Sequence, residues 1–191
     1  MSENITLNVS KSTFDRLAAL AIGFDTPEAV INRLIDQVSG LPTEKPEILF
    51  KPSEAEFKKL LLENKAAEAK IYFNDGMHAI VKWNASKFKE SSNLRANLWS
   101  GLLRDWRQRK ISKIELIPLK PSHNHKLLEI AHAIGLLYEE AEIVKPEIHY
   151  EGNETHLVHF NHPDMNILKN VSQKLNSDLD VYLPSELINL P

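Results

Sequence analysis

Three groups of residues in this 191-residue chain have the types and spacing to do chemistry. Among eight histidines, His156, His159 and His162 recur at three-residue intervals, and His123 stands beside His125. Imidazoles three apart share a helix face and could hold zinc, but this segment reads as strand, where residues three apart point to opposite faces. Solvated or hydrogen-bonded imidazoles are expected there, not ligands. Glu68-Ala69-Lys70 has the Glu-x-Lys half of a nuclease metal centre. Its second carboxylate would have to precede it on a strand, and only Glu54, Glu56 and Glu63 stand nearby, on an expected helix. No Gly-rich phosphate loop, nucleophile elbow or His-Glu-x-x-His occurs. The lack of cysteine removes thiolate ligands, thiol nucleophiles and disulfides, as in a reducing compartment. No catalytic residue, metal or cofactor is expected.

The third group is basic and aromatic. Over Leu94–Arg109 a helix would put Leu94, Leu98, Leu102 and Trp106 on one apolar face beside Trp99 and Leu103, and would crowd Arg104, Arg107, Arg109 and Lys110 into its last turns. Guanidinium groups beside tryptophan can bind phosphate and stack bases, although aromatic stripes of this kind usually pack into a core. The net charge of −3 conceals a partition along the chain. Residues 48–120 carry 15 basic and 8 acidic side chains (+7), and residues 121–191 carry 4 basic and 11 acidic (−7). Either the middle segment faces a polyanion, or the two segments attract each other within one domain.

The elements that would position these groups follow from punctuation and periodicity. Ser39-Gly40-Leu41-Pro42-Thr43-Glu44-Lys45-Pro46 cannot continue a helix and reads as a linker over 39–47. Beyond it, the pattern predicts a helix at Ser53–Leu62, strands at Lys70–Asn74 and His78–Trp83 around an Asp75-Gly76 turn, the basic helix, and a strand at Lys113–Ile117. A helix at Lys126–Leu137, strands at Glu147–Tyr150 and Thr155–Phe160, a helix at Asp164–Leu175 and a strand at Asp180–Leu183 follow. One α+β domain over 48–191 is expected, with 121–191 as a possible surface for a protein partner. No run approaches the roughly 18 apolar residues of a membrane span, and Met-Ser-Glu-Asn lacks the features of a signal peptide, so a cytoplasmic location without membrane contact is expected.

Before the linker, Ile5, Leu7 and Val9 alternate with Thr6 and Asn8 as in a strand with one buried face. Ser10-Lys11-Ser12 starts a helix carrying Phe14, Leu17, Ala18 and Ala21 on one side, and Gly23 stops it. Thr26-Pro27-Glu28 starts a second, with N-cap, N1 proline and an acidic first turn, and with Val30, Ile31, Leu34 and Ile35 as its apolar stripe. One strand and two short helices cannot bury these faces alone, and a second copy would resolve this. This order and spacing resemble the ribbon-helix-helix family of Arc and MetJ type and the SeqA N-terminal domain. The resemblance covers residues 3–38 and implies a homodimer through the N-terminal strand, with the paired strands in the major groove of double-stranded DNA. It further implies that Asn4, Thr6 and Asn8 read base edges and that Thr26 anchors a phosphate, with Lys11 adding a phosphate contact. Arg104, Arg107, Arg109 and Lys110 of the larger domain are expected to touch phosphates as well. The strand departs from many family members in carrying Asn and Thr where they have Arg or Lys, which makes its contacts neutral. The expectation is an α+β chain in which a ribbon-helix-helix dimerisation module, 1–38, precedes a larger α+β C-terminal domain, acting as a sequence-specific transcriptional regulator or antitoxin-like repressor. The alternatives are an accessory DNA-binding protein of restriction, replication or mobile elements, and a nuclease built on 48–120.

Overall fold

The structure, a computed structural model, describes residues 6–42 and 44–188. The chain falls into two units divided between Lys45 and Pro46.

In the smaller unit, Ser10 caps α1 (Lys11–Ala19) by accepting the Thr13 N–H at 3.2 Å, and Thr26 caps α2 (Pro27–Val38) by accepting the Ala29 N–H at 3.2 Å. Pro27 sits in the first turn, where a missing N–H costs nothing. Arg33 reaches back from α2 to the Asp25 carboxylate and the Leu20 carbonyl, while Asp25 also accepts the Ile22 N–H. That clamp sets the turn between the helices, and it holds the Asp25 carboxyl below its usual value through the Arg33 hydrogen bond first and the Ile22 N–H second. Thr6–Ser10 are without strand structure, in contrast to the expected strand at 5–9, of which Ile5 lies outside the described residues. A strand needs a neighbour for its N–H and C=O groups, and the single chain supplies none here.

The larger unit is mixed α+β. Its first sheet has the order β1-β4-β2-β3, with β1 (Glu47–Phe50) parallel to β4 (Ile111–Pro118), and β2 (Ala66–Phe73) antiparallel to both β4 and β3 (His78–Asn84). The pleat gives β2 two unlike faces. Ala67, Ala69 and Ile71 join Ile114 and Leu116 of β4 beneath Phe57 and Leu61 of α3 (Glu54–Asn64) and Leu94 and Leu98 of α4 (Leu94–Ser100), forming one core. Glu68, Lys70 and Tyr72 point the other way, directly across from Ile117, Glu115 and Lys113 of β4. The part of the unit beyond β4 contacts this second face through α5 (His125–Ile134) and the start of α6 (Tyr138–Val144). Its own core lies among α5, α6, the one-turn α7 (Met165–Leu168) and an antiparallel sheet β5-β6-β7 (Pro146–Gly152, Thr155–Phe160, Val181–Pro184).

Four elements differ from the sequence reading. The helix expected over Leu94–Arg109 ends at Ser100, because Gly101 leaves helical geometry and Asp105 and Lys110 take positive φ. The chain then winds through a loop that buries Leu103 and half-buries Trp106 in the first core. The helix expected over Asp164–Leu175 stops at Leu168, and beyond it Ser172 N–H donates to the Ile134 carbonyl at 2.9 Å, a tertiary bond that replaces helix continuation. β1 was masked by its brevity between Pro46 and Pro52. α6 was hidden because Gly135, at φ +82°, ends α5 three residues before Tyr138.

Gly135→Ala is expected to destabilise the larger unit. The added Cβ would lie 2.7 Å from Ser172 Cβ and 3.0 Å from the Ser172 nitrogen, in a left-handed conformation that favours glycine. A loss of about 2 kcal/mol or more in urea unfolding is the expected result, and an unchanged midpoint would refute this account of the α5 terminus.

Candidate nucleic-acid interface

Thr6, Asn8, Lys11 and Thr26 are all exposed in the smaller unit, and Asn4 lies outside the described residues. Thr6 and Asn8 are two apart on an extended segment, with Leu7 (72% exposed) and Val9 (42%) in alternation. Thr26 already uses its side chain as the α2 cap, so any phosphate it anchors would be met by backbone: the Glu28 N–H at this helix start has no acceptor among the described residues. The Arg33 clamp withdraws that guanidinium from solvent-facing duty, leaving Lys11 and Arg16 as exposed cations of the helix pair.

In the larger unit the expected phosphate contacts share one loop. Arg104, Arg107, Arg109 and Lys110 are exposed within 101–110, at the end of the first sheet where Asn74 N–H donates to the Lys110 carbonyl at 3.0 Å. Arg109 folds onto its own loop through the Leu102 carbonyl at 2.7 Å, and the Arg107 guanidinium lies 5.0 Å from the Trp106 ring centroid. Trp83, Trp99 and Trp106 are partly buried against the first core, and Trp83, opposite Ala67, lies at the far end of the sheet from this loop.

The charged face of the first sheet gathers what the sequence left scattered. Glu115, on β4 with β3 and α4 between it and Glu68-x-Lys70 along the chain, supplies the second carboxylate opposite Lys70. Sequence reasoning missed it because cross-strand register, unlike helical spacing, is not written locally. The alternation Lys113-x-Glu115 was the available signal. Both carboxylates are occupied. Glu68, 1% exposed, accepts the Tyr138 N–H and faces His132 Nε2, each at 2.8 Å on the same oxygen. Glu115 pairs with Lys113 at 2.6 Å and Lys51 at 3.2 Å. Among the described residues no group of three histidine, aspartate or glutamate side chains is placed to hold a metal ion. His159 meets Asp180 at 2.8 Å and His156 meets Ser185 at 3.0 Å, separate partners for two of the three spaced histidines. Lys70, 5% exposed, has neither hydrogen bond nor ion pair among the described residues and lies 5.7 Å from the Tyr72 ring centroid. Burial, then the neighbouring Glu115 and the more distant Glu140, push the Tyr72 phenol up to about 12. For Glu115 burial pulls upward, but the hydrogen bonds and charges of Lys113 and Lys51 together outweigh it and hold the carboxyl below its usual value.

No family model, curated protein or solved structure matches this chain.

Because the Glu115 pKa is depressed on folding, its contribution to stability is complete above the ordinary value of 4.5 and is lost as pH falls through the lower folded value. Glu115→Gln should therefore lower stability near neutral pH and flatten the decline on the acid side. Urea unfolding at about pH 7 and about pH 3 measures both; parallel curves for the two proteins would contradict the ion-pair assignment.

Proposed function

We propose that the chain is a homodimeric, sequence-specific double-stranded DNA-binding protein, acting as a transcriptional regulator or antitoxin-like repressor. The observation that carries this reading is half a core. Among the described residues of the smaller unit only Val30 is buried, while Leu7, Val9, Phe14 and Ile35 stay exposed beside an extended segment with unpaired backbone. A second copy fits both needs: an antiparallel twin of 5–9 would pair the free N–H and C=O groups, and its helices would cover the apolar side chains. In that arrangement Thr6 and Asn8 project on the face opposite Leu7 and Val9, with Asn4 continuing the row, and amide side chains suit adenine in the major groove. The ribbon-helix-helix resemblance supports the same pairing. Lys11, the α2 start at Thr26, and Arg104, Arg107, Arg109 and Lys110 would contribute phosphate contacts.

The exposed basic loop also supports a second reading, an accessory protein whose larger unit holds DNA by itself. Replacing Arg104, Arg107 and Arg109 by alanine separates the readings. For a regulator the specific site keeps most of its affinity and the salt slope falls by roughly one per lost phosphate contact, whereas for an accessory protein non-specific binding is abolished.

Full-length protein should sediment as a dimer and enrich a two-fold symmetric sequence from random duplex, and Leu7→Asp should sediment as a monomer that enriches nothing. A wild-type monomer at tens of micromolar (on the order expected for a functional dimer) would sink the proposal. Asn8→Ala should weaken the enriched site by roughly 1–3 kcal/mol and leave random-sequence affinity unchanged. An equal loss on every sequence would remove Asn8 from base reading.

A further inference from the structure

A cleft of about 260 Å³ opens at the other end of the first sheet, between the end of β3, the residues after β4 and the start of α5. Lys82, Lys120, His123 and His125 line it, with Asn64 at its wall and no carboxylate in the lining. The side chains of Lys82, Lys120 and His125 make no hydrogen bond or ion pair among the described residues. Glu68, which stands across the strands from Lys82, is already taken by Tyr138 and His132. His123 is held rigidly: its ring stacks on Tyr138 with centroids 3.9 Å apart and planes 12° from parallel, and the Tyr138 hydroxyl accepts the Asn124 N–H at 3.1 Å. Among the described residues its Nδ1 is the buried side-chain nitrogen left without a partner. That nitrogen is itself closed to solvent, so what the cleft offers an occupant is its lysine and histidine lining with no carboxylate in it.

We propose that this cleft binds a phosphoryl group. Two ammonium groups and two imidazoles surround a space below the roughly 300 Å³ at which small-molecule sites begin, which suits a single phosphate with its first substituent and excludes a dinucleotide. The tetrahedrally arranged, charged non-bridging oxygens of a phosphoryl group match donors arriving from three directions better than a flat carboxylate does. The first-turn N–H groups of the ten-residue α5 add their dipole on the same side. The phosphate could belong to a nucleic-acid backbone or to a free ester; the chemistry recognised is the same. The site stands independently of how the N-terminal unit works.

The test follows the imidazole C–H signals of full-length protein by NMR while inorganic phosphate replaces chloride at constant ionic strength. Saturable shifts at His123 and His125, with His149 unmoved, are expected. The Lys82→Ala/Lys120→Ala double variant, altered only at exposed positions, should bind phosphate at least tenfold more weakly while its His149 signal stays in place. Parallel titrations with glycerol phosphate and with an unphosphorylated blunt duplex reveal the source, since only a backbone site responds to the duplex. Absence of saturable shifts, or shifts that persist in the double variant, would overturn the proposal. Because His123 and His125 report locally, failure of this site is distinguishable from failure of DNA reading by the N-terminal unit.

Discussion

β2 is buried on both sides, and the two sides demand different company. Ala67, Ala69 and Ile71 need only apolar cover, which α3 and α4 provide. Glu68 and Lys70 are almost wholly withdrawn from water, so what covers Glu68 must bring donors in place, while Lys70 lies beside the Tyr72 ring. The Tyr138 N–H and His132 meet Glu68, and the carbonyl of Gly135 meets His78 at 2.9 Å. These polar bonds orient the α5–α6 corner on the sheet more specifically than an oily contact would, because sliding the corner by one residue would strand a buried carboxylate.

The same constraint explains how the +7 segment uses its charge. Lys51 and Lys113 neutralise Glu115, Lys70 is sunk beside Tyr72, and Arg95 grips Glu54 with three hydrogen bonds while passing 5.5 Å from the Phe50 ring centroid. Of what remains for solvent, the arginine loop stands at one end of the first sheet and Lys82 and Lys120 at the other, and Lys59, Lys87 and Lys89 are exposed as well. Part of the acidic surplus of the last segment is internal too, since Glu140 caps α6 through the Leu137 N–H and accepts from Asn170. Lys51, Lys113 and Arg95 thus find their carboxylates within the basic segment itself, and a pair that crosses between the segments is Glu68 with His132.

The smaller unit obeys the opposite economy of size. Among the described residues of this unit Val30 alone is buried, and the Arg33 clamp fixes the turn between the helices by charge instead of by burial. A module of this size ordinarily completes its core by association. Under the proposed dimer, specificity would come from neutral amide and hydroxyl contacts, and affinity from phosphate contacts supplied in part by the larger unit.

Caps, turns and apolar periodicity are local, and they carried the sequence reading. Ser10, Thr26 and Ser53 announced their helices, Asp75-Gly76 its hairpin, and Thr155–Phe160 its strand, because each depends on residues within a few positions. The helices that end at Ser100 and Leu168 were read as longer for the complementary reason: loop burial of Leu103 and the Ser172–Ile134 backbone bond come from residues distant in sequence. The base-reading row and the basic cluster could be picked out from alternation and composition. The seam of Glu68, Lys70 and Glu115 and the cleft around His123 could not, since cross-strand register and the stacking of a histidine on a tyrosine arise only once the chain has folded back on itself.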